Sequence, residues 1–528
     1  MATSSPTTPE SPAPSDATTN EARRSRRSFV FFGALAASAL LPKAGSAQGR
    51  EKRRKQPVAE PASDSTTSEF ATVRQNESAA AFAEWDSTLG RVVRRASYGA
   101  TAAEVAKANQ LGFQGYINYQ LNYTRINDDV VENAVAQRWP LISQSSDALF
   151  SADSGTLRSQ LQEATIYRAA FSQRQLYHRM VEFWSDHFNQ DYDKVGYLLA
   201  ADQRDVIRKY ALGKFPDLLK ASAHSASMMV YLDQNASRNT APNQNYAREI
   251  MELHTLGVDG GYTQNDVAEL SRVLTGWTVQ GRGTFVFNPA IHDWGAKTVL
   301  GVTIPASPAS TGAAGINEGE KMLDVLVNHP STARFISTKM LRWLLDPNPS
   351  ETQISAIASV YKATGGDIKA MVRAILNDAW LAAAPMKLKR PFHFLASSLR
   401  STMPTITTMS TYNNQLNNLG QPLFSWDTPD GYPDKVEYWA GNIVPRWNYA
   451  NVASTFNSQT TVIVDTTAYR AGSPDAAVDL IDQNFFGGEM PAATRTALLT
   501  YVKAGTFNDT RVREAIGLAI SANAFQWY

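Results

Sequence analysis

The 528-residue chain contains no cysteine. That removes disulfides, thiol catalysis and cysteine-ligated metal clusters, together with any redox clue to compartment. Histidine is scarce, at seven residues, so a metal site would have to combine imidazole with Asp or Glu. Net charge is nearly absent: 50 Lys and Arg face 49 Asp and Glu. Residues 1–47 hold five of the basic and three of the acidic residues, which leaves 45 against 46 in the remainder. A near-neutral body argues against nucleic acid as a partner. No apolar run reaches the roughly 18–20 residues of a membrane-spanning helix, so no stable transmembrane span is expected after processing. Signature motifs are missing too. There is no GxSxG elbow, P-loop, HExxH or post-strand GxGxxG, which argues against an α/β-hydrolase, a nucleotide kinase, a zincin and a Rossmann enzyme.

The N-terminus carries an address. Residues 1–22 are mostly Ser, Thr, Pro and Ala, with no core-forming pattern, and are expected to be disordered. Ser25-Arg26-Arg27-Ser28-Phe29-Val30 then opens the apolar run Phe29–Leu41, and Ala44-Gly45-Ser46-Ala47 offers small residues for cleavage after Ala47. This pattern is that of a twin-arginine export signal, which implies a periplasmic or secreted protein. Residues 48–78 read as a linker, basic over Arg50–Lys55 and then rich in Pro, Ser and Thr. The folded part is expected over residues 79–528.

The most informative stretch is Asn243–Trp277. Asn243 or Asn245 can cap a helix over Tyr246–Leu256, which Gly257 ends. Thr263 and Asp266 form a capping box for a second helix with its apolar stripe on Val267, Leu270, Val273 and Leu274. On the first helix Arg248, Glu249 and Glu252 share a side, whereas His254 lies roughly 140–160° from both glutamates if the helix is regular. Glu249 and Glu252 are thus candidates for acid, base or metal ligand, and Arg248 for an anion clamp. The plainer alternative is a surface ion pair between Arg248 and Glu252.

Elsewhere, Arg174–Asn189 reads as a helix with His187 on the face of Met180, Phe183 and Trp184, either a core histidine or a ligand. After Trp277 the period changes: Thr284–Phe287 alternates as a strand, with Lys297–Thr303 as its expected partner. The loop between carries His292, Asp293 and Trp294, a site candidate or a capped turn. His329-Pro330 separates two helices, at 317–328 and 331–345. Trp426, Asp427, Asp430 and Tyr432 form an aromatic, acidic loop suited to lining a cleft or to sugar faces. Several further helical patterns fill the remainder, so the fold class expected is mainly α: a single large helical domain with a small β-hairpin insertion.

The Asn243–Trp277 stretch resembles the signature of the domain of unknown function 1800 family, whose members are large and often exported. FWSDHF (Phe183–Phe188), HDWGAKTVLG (His292–Gly301), HPSTARFISTKML (His329–Leu341) and GQPLFSWDTPDGYP (Gly420–Pro433) carry the resemblance further, from about Trp85 to the C-terminus. It implies a fold and no activity. Where relatives read FWHNHF this chain has Ser185, and where they read NEN it has Gln244. Relatives are often encoded beside a second exported protein, which implies a co-exported partner.

Two function classes follow. In the first, an exported hydrolase draws its cleft from the Arg174–Asn189 helix, the Asn243–Leu256 helix and the His292 loop. Glu249, Glu252, Arg248 and Asp293 would be the catalytic residues, and His187, His292 and Glu249 the ligands of a divalent metal. It requires these side chains to converge. In the second, a non-enzymatic envelope or secreted protein binds a polysaccharide, another polymer or an exported partner through aromatic residues near Trp426, Trp294 or Trp439.

Overall fold

The computed structural model describes residues 87–307, 312–456 and 462–528. The export signal and linker expected over residues 1–78 lie outside the described residues. The helical domain opens with α1 (Thr88–Ala96), which Ser87 caps, and α2 (Ala102–Leu121), which Thr101 caps. Thr101 accepts from the Glu104 amide, but no capping box closes there, because Glu104 turns its carboxylate to Tyr116, Gln120 and Arg400 instead of the cap amide. α3 (Asp129–Arg138) and α4 (Ser154–Phe171) follow. α5 (Gln175–His187) is buried on nearly every side, so both of its histidines lie inside.

α6 (Leu198–Asp202) runs into a π-helical segment, Gln203–Ile207, and one more α-turn, Arg208–Tyr210. α7 (Phe215–Ala223) has Pro216 in its first turn, where the missing amide costs nothing.

The organising stretch folds as two helices, α8 (Gln244–Glu252) and α9 (Gln264–Val273), with Asn243 as cap and the Thr263–Asp266 box complete. α8 stops four residues short of the expected Leu256. The His254 amide donates to the Glu249 carbonyl at 3.0 Å, and the Leu256 amide to Met251 at 2.7 Å, each five residues back. This widened last turn breaks the regular 100° spacing and carries His254 into the core, where it is 1% exposed.

The β-structure differs from expectation. β1 (Trp277–Gln280) pairs with β2 (Thr284–Phe287), and β3 (Lys297–Val299) with β4 (Val302–Ile304), both antiparallel. There are thus two tight hairpins in place of the single expected hairpin that would have spanned the His292 loop. The reason lies in the turns: Leu300 and Gly301 have φ of 49° and 74°, the successive positive values of a tight hairpin turn, and Gly281 and Gly283 return the chain between β1 and β2. Short loops close before distant strands can compete.

α10 (Gly312–Asn328) and α11 (Pro330–Leu344) follow, with His329 as the cap between them: its Nδ1 accepts from the Ser331 amide at 3.2 Å. Then come α12 (Glu351–Thr364), α13 (Ile368–Ile375), α14 (Pro391–Thr402), α15 (Ile443–Ala453), α16 (Ala492–Lys503) and α17 (Asp509–Ser521). One further two-residue ladder joins β5 (Thr405–Ile406) to β6 (Val462–Ile463). α5 packs against α2, α4 and the π-segment, and α14 against α4. The mainly helical fold with small hairpins is as the sequence leads one to expect.

Candidate active site

α5 carries the site because it combines an apolar surface with charges largely withdrawn from water. Glu182 accepts from the Tyr98 hydroxyl at 2.9 Å, Arg179 Nη1 at 3.1 Å and Arg390 Nη2 at 2.6 Å. The same Arg390 nitrogen lies 2.7 Å from Asp186 Oδ2. Both guanidiniums rest on the Trp343 ring, 4.4 and 4.7 Å from its centroid. Two arginines and two carboxylates thereby neutralise one another in a dry setting, where unpaired charge is costly.

Beside this network opens a cleft of about 1270 Å³, between the end of α5, α11 and the loop over residues 430–438. Its aromatic walls include Phe183, Trp343, Tyr432 and Tyr438; its charged groups include Asp186, Lys339 and Asp430. Asn189 docks the loop, donating to the Trp426 and Thr428 carbonyls at 2.9 and 2.7 Å. Trp426 Nε1 and Thr428 Oγ1 in turn hold Asp430 Oδ1, at 3.1 and 2.6 Å. Gly431 has φ +75°, and a Cβ there would sit 2.2 Å from the Asp186 carbonyl oxygen. This close approach brings Asp430, the preceding residue, to the Asp186 end of the cleft. Gly431→Ala is expected to cost about 1–3 kcal/mol and to push the loop outward. Thermal melts check it: an unchanged melting point would mean the loop is not held there.

Burial raises the Asp186 carboxyl to about 6, against the pull of Arg390 and with the help of Glu182. One-fifth of its side chain remains exposed, so it stays reachable from the cleft. Burial lowers the Lys339 ammonium to about 8, opposed by Asp186 and Asp430. Asp186 and Lys339 feel each other's charge, yet no ion pair within 4 Å joins them.

The residues singled out from sequence are dispersed. His187 borders the cleft but is 1% exposed; its Nε2 is 3.2 Å from the His254 carbonyl. Burial, Lys339 and His254 hold it well below the usual imidazole range, and burial and Lys339 lower His254 to about 3. Glu249 is half-buried and raised to about 7, by burial first and then by Glu252, with Asp430 adding to the rise. Glu252 accepts from the Tyr262 hydroxyl at 3.1 Å, and Arg248 donates to Gln264 at 2.7 Å, so the Arg248–Glu252 pair does not form. His292 is buried elsewhere: Nδ1 lies 2.5 Å from the Thr275 carbonyl, and Nε2 is 3.3 Å from Glu318, which also takes Lys297 at 2.7 Å. Asp293 is gripped by Arg272 Nε and Nη2 at 2.7 and 3.2 Å; these bonds and the Gly295 amide overcome its burial and hold it below the ordinary carboxylate range.

His187, Glu249 and His292 therefore do not gather into one ligand set. The correction has a simple cause. Arg272 on α9 and Glu318 on α10 claim Asp293 and His292 as struts, while the widened end of α8 sends His254, not a glutamate, toward His187. Asp186, Lys339 and Arg390 were passed over in the sequence. The available signal was a carboxylate beside His187 on an otherwise apolar helix.

A family model described as "Protein of unknown function (DUF1800)" matches residues 91–527. The chain belongs to this family. No curated protein and no solved structure matches it. Within the DUF1800 domain, among the described residues, one Asp/Glu/His group has ligand atoms within 4.8 Å of one another: Asp128, Glu132 and His178. Its donors fit a cation poorly. Glu132 is held by Arg168 Nε and Nη2 at 3.0 and 2.7 Å, with Arg208 at 3.7 Å. Asp128 accepts from the Ser172 hydroxyl at 2.7 Å and the Gln173 amide at 3.0 Å. Burial, then Arg208, Arg168, Arg174 and Arg400, keep His178 well below the usual imidazole range. A divalent ion here would sit among guanidiniums.

Proposed function

We propose that this DUF1800 protein is an exported hydrolase that cleaves a hydroxyl-rich polymer, a polysaccharide above all, by general acid–base chemistry in the cleft. The observation that carries this reading is the opposed displacement of Asp186 and Lys339 toward neutrality in the lining of one cleft that Asp430 also lines. Protonated Asp186 donates to the leaving oxygen as the scissile C–O bond breaks. Asp430 takes the proton from the attacking water as the new C–O bond forms. Lys339 sets how readily Asp186 gives up its proton. Tyr432, Tyr438 and Trp343 offer faces on which sugar rings stack.

The test is reducing-end release from a panel of soluble and insoluble polysaccharides, run with wild type and Asp186→Asn. Release by wild type alone supports the reading; no release from any of them, or equal release by both, overturns it. A second reading, polymer binding without turnover, is favoured by Tyr438, half exposed on the cleft rim. It is distinguished by co-sedimentation with the polymer in the absence of product.

Export is part of the same proposal and rests on Arg26-Arg27 ahead of Phe29–Leu41. A folded reporter fused after Ala47 is expected outside the cytoplasm, and the double change of Arg26 and Arg27 to Lys is expected to retain it inside. Undiminished export of that variant would place the signal on the general secretory route.

A further inference from the structure

Next to the cleft lies a second cavity of about 110 Å³, lined by residues of α4, α5, the π-segment and the chain from Gln421 to Tyr432. Arg390, Asp186 and Tyr432 line both spaces and so stand between them. Four arginines reach the cavity: Arg168, Arg204, Arg208 and Arg390. Arg390 is neutralised by Glu182 and Asp186, and Arg204 by Asp205 at 2.7 Å. Arg168 and Arg208, however, have a single carboxylate within 4 Å between them, and the neighbouring Asp128 is taken up by the Ser172 hydroxyl and the Gln173 amide. Glu132 is 2.7 Å from Arg168 and 3.7 Å from Arg208, so one guanidinium charge is left without a close counterion.

The backbone is arranged to aim these groups inward. The Arg208 amide donates to the Gln203 carbonyl, five residues back, as in a π-turn. In a regular α-helix residues five apart point about 140° away from each other; the π-turn stacks Gln203 and Arg208 on one side, so both face the cavity. Such widened turns concentrate at functional sites. A further polar group waits there as well: His178, 5% exposed, has an Nε2 with no hydrogen-bond partner, which donates when the ring is the Nε2–H tautomer.

We infer that this cavity is a binding site for one small oxyanion of the phosphate or sulfate class. The excess guanidinium charge that makes the neighbouring Asp128–Glu132–His178 group unfit for a cation attracts an anion. Arg208, Gln203 and His178 supply charged and neutral donors to its oxygens. The volume suits a free tetrahedral ion, and Arg390, Asp186 and Tyr432 set the cavity apart from the cleft, so the occupant inferred is a free ion and not a group carried on the polymer. The site is independent of the hydrolase reading.

Calorimetric titration of the full chain with inorganic phosphate, against a chloride control, is expected to show one saturable site with Kd on the order of millimolar or tighter. Arg208→Gln is expected to weaken it at least about tenfold, and Gln203→Leu, which changes no charge, to weaken it several-fold. Arg334→Gln, at a residue that lines neither the cavity nor the cleft, should leave it unchanged. Because a cavity variant can misfold, hydrogen exchange on wild type decides independently: phosphate should slow exchange in α4 and over Gln203–Tyr210. Protection elsewhere, no protection, no saturable heat, or equal binding by Arg208→Gln overturns the assignment.

Discussion

Asp186→Asn is expected to lower turnover by about 10²–10⁴-fold while leaving affinity for the polymer nearly unchanged. Asparagine keeps the shape and can still lie beside Arg390, but it has no proton to give. The pH dependence makes the prediction sharper. As a general acid, Asp186 works only when protonated, and its carboxyl titrates at about 6 in the folded chain. Wild-type rate should therefore fall as pH rises through about 6. Lys339 favours the ionised carboxylate, so Lys339→Met should raise the Asp186 pKa and move the falling limb to higher pH. A limb that moves the other way, or full turnover by Asp186→Asn, would sink the assignment.

Stability separates an inactive variant from an unfolded one. The folded pKa of Asp186 is raised from 3.8 to about 6, so between those values the native state holds the proton that the unfolded state has lost. Stability from this group is present at low pH and declines as pH climbs from about 4 to 6. Above that window Asp186→Asn should be as stable as wild type or more so, by on the order of 1–3 kcal/mol.

The second large effect is structural. Glu182→Ala is expected to destabilise the domain by about 3–5 kcal/mol, read as a lower urea midpoint. Glu182 receives both Arg179 and Arg390, and removing it strands two buried guanidiniums. Arg179 would keep the Tyr528 hydroxyl at 3.2 Å and Arg390 would keep Asp186, neither of which replaces the lost charge near both. Glu182→Gln, which retains the volume and an acceptor oxygen, should lie between. A midpoint within experimental error of wild type for the alanine variant would mean that solvent already screens this network. Since Trp343 and Tyr432 bear on the same arginines, through ring contact and a 3.1 Å carbonyl bond from Arg390, the cleft should loosen along with the fold.

Part of the site was legible in the chain. Asp430 and Tyr432 stood out as an aromatic, acidic loop and do line the cleft. His187 was placed on a buried face and is there. Glu249 was noted for its neighbour Glu252, and that neighbour does help raise it. The remainder depended on contacts that spacing along one element does not report. Arg390 lies 204 residues beyond Asp186 and still touches it. Lys339 sits on a helix whose sequence reads only as amphipathic.

By itself, the sequence determined what is local: the cap at Thr263, the choice of cap narrowed to Asn243 or Asn245, the helical class, the family, and the export motif as an expectation. Those depend on hydrogen bonds and periodicities within a few residues. Only the tertiary structure decided the partners. It gave Asp293 to Arg272, His292 to Glu318, and Asp186 to Arg390. The physical reason is that a charge's role is set by whatever helical packing brings within a few ångströms once water is excluded, and that choice is made between separate elements, 21 and 26 residues apart for Asp293 and His292 and far more for Asp186.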